Sequence, residues 1–286
     1  MLRTLFKKGQ AASNAAWNSK YYLPVLLIMA SAATVTHTSF VCMCLFVFIA
    51  VIMLIFCDDM LSTVAPICFI LQISVEYYRN YSQLVPYMMY AIVPFTLAFI
   101  FNLIYYRRPI KAGKLLYPLS AVSAALIIGG IGVVSMQDYL KPISVYYMVA
   151  LGLGQLAFYV LFRTRLENKR DYDRIERLAQ IVYAAGILFV VAIFSFYAQN
   201  FDEFTEKGGV LFYKPRNYLT TMFLMCMPMT CVLAKRSNLY LIGMALMYAA
   251  MIMTGSRSGL LFGSVLLVMC VIYIYITNKK SRRLYN

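Results

Sequence analysis

Apolar residues run along this chain in long unbroken stretches, separated by short polar clusters. A barrel strand alternates apolar with polar positions, whereas segments such as LIGMALMYAAMIM do not alternate at all. Continuous runs predict helices, and ten of them can be drawn: Tyr21–Thr36, Ser39–Cys57, Leu61–Ile73, Leu84–Tyr106, Leu115–Ser135, Ile143–Phe162, Leu178–Ala198, Tyr218–Leu233, Leu239–Met253 and Leu260–Thr277. Several are shorter than the ~20 residues that cross a bilayer. The first two are separated only by His37 and Thr38. The pattern predicts an all-α, polytopic transmembrane helical bundle of about ten spans, forming a single integral membrane domain over residues 1–286.

Composition supports lipid as the solvent. Of 286 residues, 62% are hydrophobic and 13% charged, with a mean hydropathy of +0.72. A soluble domain is about half apolar and about a quarter charged. A formal net charge of +15 raises nucleic acid as a partner. The distribution of that charge favours a membrane instead, because Lys and Arg collect on the cytoplasmic side of spans. With both termini inside, twenty of the 26 basic residues fall in cytoplasmic segments and six in outer ones. The Tyr21–Tyr22, Tyr77–Tyr78, Tyr105–Tyr106 and Tyr146–Tyr147 pairs suit an aromatic belt at the two interfaces. The expected location is a membrane crossed many times, with membrane lipids as neighbours and no nucleic acid.

The seven cysteines lie in or beside apolar runs without metal-ligand spacing, so neither a metal nor a cofactor is implied. The basic N-terminus (Arg3, Lys7, Lys8, Lys20) reads as the flank of an uncleaved first span. The mixed-charge stretch Arg163–Arg177 reads as a solvated connector, with a helix on anionic lipid as the alternative. No internal repeat stands out.

Basic residues on the outer side are the informative ones. Arg257 lies in Thr254-Gly255-Ser256-Arg257-Ser258-Gly259, between two long apolar runs. A buried, unpaired charge there costs roughly 2.5–3.5 kcal/mol, less near the interface. Two glycines that free backbone N–H groups, the hydroxyls of Ser256, Ser258 and Thr254, and a following helix N-terminus together suit a phosphate. The plain alternative is a hairpin turn whose arginine snorkels to the headgroups. A second constellation, Leu211-Phe212-Tyr213-Lys214-Pro215-Arg216-Asn217-Tyr218, opens the eighth span. Lys214 and Arg216 sit at a helix N-terminus, where fixed positive charge opposes the dipole and an anion would relieve it. Asn217 is the expected N-cap. The alternative is an interfacial Tyr/Lys anchor.

From about Gly208 to Tyr275 the chain resembles the O-antigen ligase/polymerase superfamily, membrane glycosyltransferases of bacterial surface-polysaccharide assembly. The resemblance rests on four elements in order: Phe212-Tyr-Lys-Pro215-Arg216-Asn217, the proline-containing span TMFLMCMPMTCVL, the basic loop AKRSN, and the turn MIMTGSRSGLL. It implies metal-independent transfer of a saccharide from undecaprenyl diphosphate to an acceptor hydroxyl, a saccharide or a lipid A-core, at the periplasmic face. On this resemblance Arg257 is the catalytic arginine that neutralises the leaving diphosphate. Arg216, Lys214, Ser256, Ser258 and Asn217 complete the diphosphate-binding set.

The family extends past this turn into a large outer loop that carries a histidine, whereas the sequence here ends at Asn286 and its sole histidine is His37, in the first outer turn. The expectation is therefore a ligase or polymerase, or the N-terminal part of one. The rival readings are a transporter or flippase of lipid-linked saccharide and a non-catalytic assembly subunit. A transporter calls for ionisable groups in mid-membrane, and the runs hold only scattered polar residues such as Gln72, Asn102, Gln155 and Gln180.

Overall fold

A computed structural model describes residues 2–73, 81–110, 113–131, 148–166, 171–201 and 216–277. The described residues are helical with no strand among them. In chain order the helices are α1 (Leu2–Asn18), α2 (Tyr22–Val35), α3 (Ser39–Phe56), α4 (Leu61–Ile73), α5 (Tyr81–Tyr105), α6 (Leu116–Ile131), a π-helical turn at Ala150–Gly154, α7 (Gln155–Leu166), α8 (Asp171–Gln199), α9 (Arg216–Cys226), α10 (Met229–Leu233), α11 (Leu239–Met253) and α12 (Arg257–Thr277). Among the described residues, three stretches are long and apolar enough to cross a membrane: Ser39–Phe56, Ile175–Gln199 and Arg257–Thr277. Seven shorter apolar helical stretches accompany them. Large apolar side chains such as Val41, Ile104, Ile128 and Leu261 lie more than 60% exposed, which suits a lipid-facing surface and not an aqueous one.

The chain divides into two compact units, Met1–Asn102 with Tyr172–Asn286, and Leu103–Asp171. The first unit begins with a departure from expectation. Residues 2–18 form a separate helix ahead of the first apolar run. Phe6 stacks on Phe56 at 5.2 Å and on Phe101 at 6.1 Å. Asn14 Oδ1 accepts from Cys57 Sγ at 3.2 Å, and Trp17 Nε1 donates to Asp59 Oδ2 at 3.3 Å. From Phe6 to Trp17, α1 advances about 16 Å, yet its partners climb only from Phe56 to Asp59. Helix α1 therefore crosses the ends of the other helices and does not lie alongside them. Arg177, near the start of α8, closes this end. Its guanidinium donates to Trp17 O at 2.9 Å and Ser19 O at 3.3 Å, and lies 4.7 Å from the Trp17 ring. A cation on the last carbonyls of α1 also suits that helix's dipole.

Polar residues inside the apolar runs act as ties. Asn102 Nδ2 donates to Leu54 O at 2.6 Å and Cys57 O at 3.2 Å, satisfying carbonyls at the C-terminus of α3. Gln180 bonds Glu176 and accepts from Arg177. Helices α8, α9, α11 and α12 share a core that includes Phe189, Ile193, Phe223, Met227, Met247 and Met251. At the α1 end of this bundle, Arg236 in the α10–α11 turn pairs with Glu176 at 2.6 Å.

In the stretch Arg163–Arg177, expected as a connector with a helix as the alternative, the described residues are helical. Helix α7 runs on through Leu166, and α8 already begins at Asp171, with residues 167–170 outside the described set. The physical reason is tertiary: Glu176 and Arg177 are fixed by partners on other helices, so the polar turns before the apolar run still pay their ordering entropy. In the second unit, α6 packs antiparallel to the π turn and α7. Gln155 Nε2 donates to Ser123 Oγ at 3.1 Å, and a Cβ added at Gly152 would stand 2.7 Å from Ile127.

Candidate functional site

The Thr254–Gly259 turn links α11 to α12 by paired capping. Thr254 closes α11, its N–H reaching Ala250 O at 3.2 Å and its hydroxyl donating to Met251 O at 2.7 Å. Gly255 follows at φ 67°, the left-handed conformation in which glycine escapes the Cβ penalty. Ser256 then caps α12. Its carbonyl accepts from Leu260 N–H at 2.9 Å and its Oγ from Gly259 N–H at 3.2 Å. The turn is anchored from a third side by Tyr197 of α8, whose hydroxyl donates to Met253 O at 2.6 Å.

This capping sorts the residues expected at the site. Thr254 and Ser256 are buried, and their hydroxyls serve the turn itself. Arg257 and Ser258 are exposed at the first two positions of α12. Ser258 Oγ lies 3.1 Å from Ser256 Oγ. The guanidinium of Arg257 is thus carried on the positive end of a helix and turned outward, an arrangement that an anion stabilises.

The second constellation joins the first through helix packing. Gly259 leaves room for Thr220 of α9: a Cβ there would lie 2.6 Å from both Cγ2 and Oγ1 of Thr220. Farther along, Cys231 Sγ sits 4.0 Å from Cys270 O, a pair separated by 39 residues. Thr220 and Gly259 have that same separation, so α9–α10 and α12 run parallel in constant register. Their leading ends therefore lie together, with the first described residue of α9, Arg216, level with Gly255. Asn217 is not the expected N-cap. It lies inside α9, whose described part already includes Arg216. Lys214 lies outside the described residues. Between the two helices Thr220 Oγ1 is buried with no hydrogen-bond partner among the described residues.

Tyr197 and Thr220 were not singled out from the sequence, and Gly259 was read there for a free N–H and not for the packing contact it makes, while its N–H is taken by Ser256. Tyr197 reads there as one more interfacial aromatic, and Thr220 as a polar residue in an apolar run. His37 does not join the cluster. Its Nε2 lies 3.1 Å from Gln199 Oε1. Gln199 and Tyr197 project about 200° apart around α8, so His37 and the Arg257 turn flank different faces of that helix. Comparison with family models, with curated proteins and with solved structures finds no match.

Proposed function

We propose that the chain is a multi-pass membrane glycosyltransferase of the O-antigen ligase/polymerase type. In this reading it holds an undecaprenyl diphosphate-linked saccharide at the outer end of its bundle and passes the saccharide to an acceptor hydroxyl. One observation supports the reading: two parallel helices bring their leading ends together, with Arg257 opening one and Arg216 the first described residue of the other. A leaving diphosphate accumulates negative charge as the glycosidic bond breaks, and fixed donors aimed at that charge lower the barrier. Arg257 is the catalytic group, able to grip phosphate oxygens in two places. Ser258, at the second position of α12, adds a hydroxyl beside it. Arg216 and Lys214 supply the second positive contribution from the start of α9. Further support comes from the polar residues inside the apolar runs. Asn102, Gln155 and Gln180 are spent on packing contacts, which leaves the charge at the ends and not along a mid-membrane path.

The test is Arg257→Lys in the full chain, assayed for transfer from an undecaprenyl diphosphate saccharide. Lysine keeps the charge but loses the planar fork. Transfer should fall by about 100-fold or more, with membrane insertion unchanged. Arg216→Ala should cost less. Normal polymer length and attachment in the Arg257 variant would remove the enzymatic reading, and equal tolerance of alanine at both positions would mark them as interfacial anchors.

A further inference from the structure

We propose that α1 is a docking surface for anionic phospholipid headgroups, at the end of the molecule opposite Arg257. The helix has two distinct sides. Phe6, Gly9, Ser13 and Trp17 recur at helical spacing and face the bundle, where Ser13 and Trp17 are buried. Arg3, Lys7 and Lys8 are exposed on the rest of its surface, and no acidic residue occurs in the helix. Leu5, 55% exposed, stands beside them as an apolar contact.

Orientation makes lipid the occupant. Helix α1 crosses the ends of α3 and α5 and the start of α8, so it lies in the plane where an apolar bundle meets the headgroups. An amphipathic helix in that plane puts its basic side chains among lipid phosphates. Two further basic groups edge the same plane. Lys20 follows α1 and stacks on Tyr21 at 5.0 Å, and Arg236, whose side chain is 69% exposed, is held there by Glu176. Arg177 fixes the helix to the bundle through Trp17 O and Ser19 O, so the cationic face is preorganised and binding a headgroup orders little more.

The chain has one tryptophan, Trp17, and it sits on α1. Its fluorescence therefore reports this helix alone. The purified full chain is reconstituted in vesicles that mix ordinary phosphatidylcholine with brominated phosphatidylglycerol or brominated phosphatidylcholine. At low salt the brominated phosphatidylglycerol should quench Trp17 with an apparent affinity at least about fivefold higher, the factor that one surface basic residue supplies. The preference should shrink as salt is added. In the Arg3→Gln, Lys7→Gln, Lys8→Gln variant, which keeps the helix and its packed face, the two lipids should quench alike. Equal quenching by both lipids in the natural chain overturns the proposal, and so does a preference that survives in the variant. Relief of the phosphatidylglycerol preference by millimolar inorganic phosphate, at constant ionic strength, would also overturn it by making the surface a site for free anion. Arg257 plays no part in any arm, so the outcome is independent of the transferase reading.

Discussion

His37 shows how a single residue's backbone can decide between chemistry and structure. It is the only histidine, and the sequence reads it as a polar residue of an outer turn beside the membrane and not as the family's histidine. In the structure it has φ 57° and follows the last turn of α2, with Thr38 N–H reaching back to Ala33 O at 3.0 Å. That bond is the signature of a helix ending on a left-handed residue, a position that favours glycine. A non-glycine residue there costs roughly 1–2 kcal/mol, and the exposed bond to Gln199 offsets only part of it. His37→Gly should therefore leave melting temperature unchanged or raise it by a few degrees, with transfer activity retained. Loss of transfer without loss of stability would give His37 a catalytic role that its position in the turn does not suggest. Arg257 presents the reverse case. Its turn could be read from the sequence because an arginine framed by glycines and hydroxyls between apolar runs is chemically conspicuous. That Ser256 caps the helix while Ser258 stays exposed could not be read, because both are serines and only the helix start separates them.

At the level of helices, existence was legible and partnership was not. Unbroken apolar runs leave few alternatives to a helix, so α2, α3, α4 and α11 fall within about two residues of expectation. Helix α1 escaped notice because it is rich in alanine and polar residues, and its packed face becomes apparent only against Phe56 and Phe101. The register of α9 against α12 was equally hidden, since it depends on one close approach, Gly259 on Thr220. That contact gives the pair a specific test. Gly259→Ala forces a Cβ to 2.6 Å from two Thr220 atoms, and overpacking of this kind costs typically 1–3 kcal/mol. Thr220→Ala removes both atoms and, because its hydroxyl makes no hydrogen bond among the described residues, should be near neutral alone. The double variant should recover most of the stability lost in Gly259→Ala, with transfer recovering in parallel. Purely additive losses in a double-mutant cycle would mean that the two helices are not held by this contact.

Across the whole molecule, the question is which side of the membrane each end faces. Helix α12 is 21 residues long, about 31 Å, and so matches the ~30 Å of a hydrocarbon core. The Arg257 turn and the far end of α12 are thus about one bilayer apart. Helix α11 links the two ends independently, starting after the Arg236 turn that pairs with Glu176 beside α1 and finishing at the Thr254 turn. Basic residues are dense at the α1 end, with Arg3, Lys7, Lys8, Lys20, Arg177, Lys235 and Arg236, and α1 itself adds no acidic group to balance them. On the proposal that this end faces inward, retention of positive charge in the cytoplasm supplies the bias, and an anionic leaflet adds to it. A phosphatase fused after Lys235 should then be silent, and one fused at Glu206, ahead of α9, should be active. The reverse pattern would put Arg257 in the cytoplasm, away from any acceptor on the outer surface. The transferase proposal would then fail, while α1 would still be a cationic helix lying across the end of an apolar bundle.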